Sequence, residues 1–469
     1  MERKNCWKSY TPEDLKAIEE LCTGYKSFLD TGKTERECTV ETVRMAQEAG
    51  YRDLAQVIEN GETLDEGDRV YAVCRGKAVA LFQIGTRPIT DGMRILGAHI
   101  DSPRLDVKQN PFYEDTEIAY LDTHYYGGVK KYQWVTIPLA LHGVVALKDG
   151  SVLNVKIGED EDDPVLCISD LLIHLSADQL EKKARVVIEG ENLDVIVGSR
   201  PVPEKGEEDG EDKKEKFSVR AGILAILKDK YDMEEEDFLS AELEIVPAGR
   251  ARDCGLDRSM VLAYGQDDRV CAYTSLSALL RTPVQAYTSC TLLVDKEEIG
   301  SVGATGMQSR FFENTVAELL ERLGIYSELN VRRTLENSRM LSSDVSAAYD
   351  PLYESAFEKK NAAYFGRGLV FNKFTGARGK SGSNDADAEY IAWVRRVMDD
   401  ANVGFQTAEL GKVDQGGGGT IAYISVLYGM DVIDSGVAVL SMHAPFEITS
   451  KADIYEAEKG YAAFLEARD

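Results

Sequence analysis

The sequence predicts an α/β fold in which both ends of the chain build one domain and a β-rich domain is inserted between them. Two observations carry this. Apolar residues recur at helical spacing and in short buried-strand runs before about residue 105 and again after about 246. Between them the texture changes to short β-rich pieces and hairpin turns. The predicted domains are therefore 1–105 with 246–469, and the insertion 106–245. A chain of 469 residues fills such a core without disulfides or structural metal.

Thr11-Pro12-Glu13-Asp14 offers an N-cap, a proline at the first helical position and an acidic first turn. Leu15, Ile18, Leu21, Cys22, Tyr25 and Leu29 continue the helix. Thr39 is read as the cap of a second helix that ends at Gly50. A hairpin follows, 70–73 and 79–84 around Arg75-Gly76-Lys77. Residues 94–100 form an apolar strand that stops in a polar loop, His99-Ile100-Asp101-Ser102-Pro103. In the insertion, 144–147 and 152–157 flank an Asp149-Gly150 turn, and 184–188 is read as another β piece. The charged, glycine-containing run 204–216 is read as an exposed loop. Beyond 246, a helix is expected over 269–280. Strands are expected at 291–294, ending in Glu297-Glu298, and at 437–440, ending in Ser441-Met442-His443.

The net charge is −27, from 54 basic and 81 acidic residues. Such a field repels nucleic acid and anionic membrane, so neither is an expected partner. The eight cysteines form no C-x-x-C pair and read as buried free thiols. The polar start lacks a signal-peptide core, and no apolar run approaches the ~18 residues of a span. The expected location is cytoplasmic.

Only five histidines exist, and His99 and His443 directly follow strand patterns. Strand ends of open α/β sheets face the ligand crevice. In His99-Ile100-Asp101 the two polar side chains share one face, so Asp101 can accept the second imidazole N–H and orient the ring. One carboxylate of Asp267-Asp268 could bridge two metals. Of the adjacent Glu297 and Glu298, one can ligate while the other stays a base. Asp344 offers a further carboxylate. Imidazole and oxygen donors without thiolate suit zinc, manganese or cobalt in a catalytic site, and the charge balance suits two ions.

The segments 97–106, 267–269, 295–301, 342–344 and 441–443, with 126–128, 138–144 and 168–175 between them, resemble in order the aspartyl aminopeptidase and aminopeptidase I family of metallopeptidases. The resemblance implies a phosphorylase/hydrolase-like mixed-sheet peptidase domain with an inserted dimerisation domain. It implies two zinc ions per subunit, exchangeable with manganese or cobalt. His99 and Asp344 would bind one ion, Glu298 and His443 the other, with Asp267 bridging. Asp101 would orient His99 and Glu297 would be the general base. His174 would reach a partner's site within a dimer, and the dimers would build a dodecamer acting on short peptides.

The resemblance also places Lys373 in the pocket, near Arg378 and Lys380, where it would favour acidic N-terminal residues. The glycine run 416–419, with Gly417 and Gly418, would offer backbone N–H groups to the substrate. The sequence departs from the acid-specific pattern at Val135-Thr136-Ile137 and at Ala444-Pro445-Phe446-Glu447, both of which bear on the pocket. The rival readings are a two-zinc carboxypeptidase or amide deacylase, and a scaffold without turnover.

Overall fold

In the computed structural model, residues 4–203, 217–376 and 379–468 are described. The run 204–216 and Arg378 lie outside them. The chain divides into two compact units. Met1–Ser102, Ala251–Met442 and Phe446–Asp469 form the first; Pro103–Arg250 and His443–Pro445 form the second. The sequence reading had put 443–445 in the first domain. That short stretch joins the second unit, where His443 Nδ1 lies 3.1 Å from Gly128 O.

The first unit opens with two helices. α1 (Pro12–Thr31) starts on a capping box between Thr11 and Asp14, and α2 (Glu35–Glu48) on one between Thr34 and Glu37. The expected cap at Thr39 is thereby corrected: Thr39 is buried inside α2, and the box at Thr34, five residues earlier, supplies the cap. The helix also ends at Glu48, before Gly50.

The sheet strands of this unit begin with β1 (Arg52–Asp53), β2 (Arg69–Cys74), β3 (Ala78–Gln83) and β4 (Met93–His99). After the second unit come α3 (Gln266–Arg281), β5 (Thr288–Val294), α4 (Phe311–Arg322), α5 (Glu328–Glu336) and β6 (Arg339–Ser343). The remainder is β7 (Leu369–Asn372), α6 (Ala388–Asp400), β8 (Phe405–Thr407), β9 (Asp431–Gly436) and α7 (Lys451–Glu466).

The nine strands pair in the order β1-β2-β3-β5-β4-β6-β9-β7-β8. β4 sits at the centre, parallel to β5 on one side and β6 on the other. β3 runs antiparallel to β5, and β7 to β9, so the sheet is mixed.

Helices cover both faces, which is why β4 and β5 are buried along their whole length. Leu96, Ala98, Leu293 and Leu341 pack with α1, α2, α3, α6 and α7. Ile95, Leu292, Val294 and Met340 pack with α4 and α5. Gly97 faces Met340, and a Cβ there would meet the methionine methyl at 2.1 Å.

A separate five-stranded sheet, Arg252–Cys254, Met260–Ala263, Glu447–Ser450, Ala438–Leu440 and Ser346–Ala347, completes the first unit. The strand that leads to His443 is in this sheet, not in the sheet that carries His99 and Glu297-Glu298.

The second unit holds a six-stranded antiparallel sheet. Its order is Val152–Ile157, Leu139–Ala146, Ala241–Pro247, Arg104–Asp115, Ile118–Tyr126 and Val195–Gly198. The expected β piece at 184–188 is instead a one-turn helix, Ala184–Val187. All eight cysteines are free thiols. No helix among the described residues is long and apolar enough to cross a membrane.

Candidate metal centre

Register brings the site together. Val294 at the end of β5 is level with His99 at the end of β4, and Gly97 is level with Ser342 of β6. The residues just past the strands therefore share one end of the sheet: His99 itself, the turn Glu297–Ile299, and Asp344. Asp267 joins them from the start of α3.

Two groups of ligand atoms result, His99 with Glu297 and Asp344, and His99 with Asp267 and Glu298, each within 4.8 Å. His99 Nε2 is buried without a hydrogen-bond partner. It faces Asp267 Oδ1 at 3.3 Å and Glu297 Oε2 and Asp344 Oδ1 at 4.0 Å.

Asp101 holds the other side of the ring. His99 Nδ1 lies 3.0 Å from Asp101 O and 3.3 Å from its Oδ1. The two Asp101 carboxylate oxygens also accept the amides of Glu297 and Glu298, each at 3.2 Å. One side chain thus ties the end of β4 to the turn after β5.

The electrostatics call for cations. Burial pulls the His99 pKa down, but the Asp101 and Asp267 carboxylates beside the ring overcome this and leave it well above the ordinary value. Burial, then the Glu297 charge, pushes the Asp344 carboxyl well up. Carboxylates this close resist being ionised together unless positive charge lies among them. A single imidazole does not balance Asp267, Glu297, Glu298 and Asp344. The donor set is imidazole and carboxylate oxygen without thiolate, which fits zinc in a catalytic setting.

Sequence reasoning missed two supports. Asp268 is buried, and its Oδ2 accepts the His99 amide at 3.4 Å. Glu447 is buried, and its Oε2 accepts the Asp267 amide at 2.9 Å. The only signals were that Asp268 adjoins a ligand candidate and that Glu447 follows His443 by four residues.

Two other expected site residues are not among these groups. His443 is in neither. Its Nδ1 meets Gly128 O, and a Cβ on Gly128 would come within 3.1 Å of that nitrogen. His174 is exposed in the single turn Ile173–Leu175 of the second unit.

Lys373 directly follows β7. β7 runs antiparallel to β9, with Val370 level with Gly436 and Asn372 with Asp434. β9 in turn is parallel to β6, with Ser435 level with Ser343. The chain after Asn372 therefore leads away from the sheet end that bears Asp344. Lys373 is exposed and paired with Asp385, whose Oδ2 also holds Lys380 at 2.9 Å. In the glycine run, the Gly418 N–H donates to Thr375 O at 3.1 Å. Gly417 has a left-handed φ of +105°.

The profile of the aminopeptidase I zinc metalloprotease family, M18, matches residues 28–465. The chain belongs to the M18 family. A probable M18 family aminopeptidase 1 of Clostridium acetobutylicum is 60% identical over 464 residues, covering 99% of this chain and 98% of that protein. The crystal structure of aminopeptidase I from the same organism superposes with a TM-score of 0.91 at 58% identity over 100% of both chains. That of the M18 aminopeptidase of Thermotoga maritima superposes at 0.92 and 44%, over 99% of each chain. The mApe1 dodecamer of S. cerevisiae shares the fold at a TM-score of 0.74, with 18% identity and 95% and 96% coverage. This M18 chain is thus a hydrolase of peptide bonds, an aminopeptidase within a zinc metalloprotease family.

Proposed function

We propose that this M18 chain removes single N-terminal residues from short peptides with two zinc ions per subunit. The observation that carries the reading is the gathering of Asp267, Glu297, Glu298 and Asp344 around the buried His99 Nε2. In this reading His99 and Asp344 hold one ion, Glu298 and His443 the other, and Asp267 lies between them. The His443 Nδ1 contact with Gly128 O leaves Nε2 as the ligating nitrogen, the division of roles typical of metal-bound histidine.

Bound zinc supplies Lewis acidity to the scissile carbonyl and acidifies water. The chain supplies the rest. Glu297 takes a proton from the attacking water on its carboxylate and returns it to the leaving amine. Asp101 holds the amides of Glu297 and Glu298, so the base and its neighbouring ligand keep a fixed offset. His174, which is exposed, serves the site of a partner subunit, where it stabilises the developing oxyanion.

The exposed Leu171, Leu172, Ile173 and Leu175 around His174 support a dimer through the second unit, which we propose assembles further into a dodecamer. Acidic selectivity would rest on Lys373. The direction of β7 and the pairing with Asp385 weigh against it. A panel of Asp, Glu, Leu and Lys chromogenic substrates reads the preference directly.

Removal of metal by a chelator should abolish cleavage of free-amine peptides, and zinc should restore it. Manganese or cobalt tested in its place shows whether the ions exchange. Activity that survives the chelator overturns the metal reading. Cleavage of N-acetylated peptides in preference to free amines would point instead to a two-zinc carboxypeptidase or deacylase.

A further inference from the structure

We infer that Arg269 is a positioning residue for the metal centre: its guanidinium ties the loop that carries His99 and Asp101 to the loop that carries Asp267, and so sets how tightly zinc is held. The inference rests on the two-zinc reading above.

Arg269 follows the Asp267-Asp268 pair and is 1% exposed. Burying a guanidinium is costly unless its donors are used. Nε donates to Ile100 O at 3.2 Å, the carbonyl between His99 and Asp101. Nη2 donates to Lys33 O at 2.9 Å, in the turn between α1 and α2. The guanidinium carbon lies 5.3 Å from the Tyr264 ring centroid.

The approach is made possible by Gly265, whose φ is +68°. A Cβ there would sit 2.0 Å from Arg269 Nη1 and 3.0 Å from Ser102 Oγ. Two further ties cross between the same loops. Ser102 Oγ donates to Asp267 O at 2.7 Å, and the His99 amide reaches Asp268 Oδ2 at 3.4 Å.

β4 ends at His99. Beyond it the ligand loop is held by Ile100 N on Val294 O at 2.9 Å and by these ties. Arginine suits the task because its planar fork presents fixed donors to two carbonyls at once, which a lysine ammonium does not reproduce. Ligands displaced by about half an ångström no longer meet a metal's demands.

The test compares wild type with Arg269→Met, Arg269→Lys and Gly265→Ala. Gly265→Ala keeps the arginine but pushes its guanidinium aside. A fluorescent chelator measures zinc affinity by competition, and thermal midpoints are taken with and without zinc. Leu319→Ala, a cavity in the α4 core, is the control for general destabilisation.

The clamp predicts zinc affinity lower by about 10–100-fold in Arg269→Met and Gly265→Ala, the range seen for partners that orient ligands. It predicts no rescue by Arg269→Lys. It also predicts a smaller zinc-induced rise in midpoint, because that rise follows affinity. A merely structural role would lower both midpoints together and leave affinity alone, the pattern expected of Leu319→Ala. Wild-type zinc affinity in Gly265→Ala, or in a folded Arg269→Met, overturns the clamp. Wild-type protein that takes up no zinc overturns the metal reading itself and this inference with it.

Discussion

Asp101 illustrates how much one side chain settles at this site, since it faces His99 and accepts the amides of both Glu297 and Glu298. Because those two glutamates are adjacent yet fall in different ligand groups, their substitutions should separate cleanly. Glu297→Gln should retain zinc and lose activity by about 10²–10⁴-fold, the worth of a positioned proton carrier. Glu298→Ala should lose zinc. Metal analysis beside kinetics checks this, and equal zinc in the two variants would reverse the assignment.

A second residue-scale prediction concerns pH. Asp434 is 2% exposed, accepts the Thr420 hydroxyl at 2.5 Å, and is pushed by burial up to about 7. Unfolded, it titrates near 3.8. Between those values the folded state binds the extra proton, so this group's contribution to stability falls as pH rises from about 4 to 7 and stays low above. Asp434→Asn removes that loss. Its thermal midpoint relative to wild type should therefore be higher at pH 8 than at pH 5, and a gap that does not grow refutes the burial argument.

That His99, Glu298, Asp344 and the expected base Glu297 would gather was legible because polar clusters terminating apolar runs mark strand ends. Asp268, Glu447 and Arg269 were not, because each acts through a partner remote in sequence.

At the scale of elements, the two threonines of α2 make opposite predictions. Thr34 caps the helix through Glu37 N, whereas Thr39 sits mid-helix with its hydroxyl buried and without a hydrogen-bond partner. Thr34→Ala should cost about 1 kcal/mol. Thr39→Val should be neutral or stabilising, since it removes an unmet polar group. Thermal unfolding of the two variants decides it, and the reverse order would restore Thr39 as the cap. The error has a physical origin. The first turn, Glu35-Arg36-Glu37, contains no apolar residue, so hydrophobic periodicity detects the helix only after it has begun. Central strands β4 and β5 were easier to read, because burial on both faces favours apolar stretches such as 95–98 and 292–294. The strand 438–440 showed the same run but gave no hint that it lay in a second sheet.

At the scale of the whole molecule, an inserted β-rich segment was visible as a change of texture. The migration of 443–445 into the second unit was not, because a three-residue stretch carries no pattern of its own. A net charge of −27 opposes nonspecific association. Exposed leucines and an isoleucine beside His174 therefore read as one defined contact in a surface that otherwise repels its like. Leu172→Asp combined with Ile173→Asp should reduce the assembly to monomers in sedimentation velocity and abolish activity. Mixing His174→Ala with Glu297→Gln after dissociation should restore partial activity, because hybrid dimers pair an intact residue of each kind. A fully active monomer would refute the shared site.

The central place of β4 also has a consequence for how the protein is made. His99 emerges early from the ribosome, but β5 and β6, which flank its strand, and Asp344, which completes its ligand group, come as much as 245 residues later. At the usual pace of about 5–20 residues per second, the nascent chain must wait roughly 10–50 s between His99 and Asp344. If the proposed zinc reading holds, capture of the metal is thus a late event, open only to a nearly finished polypeptide. Until then a strand that will be buried along its whole length stands without its neighbours, a segment a chaperone would have reason to hold.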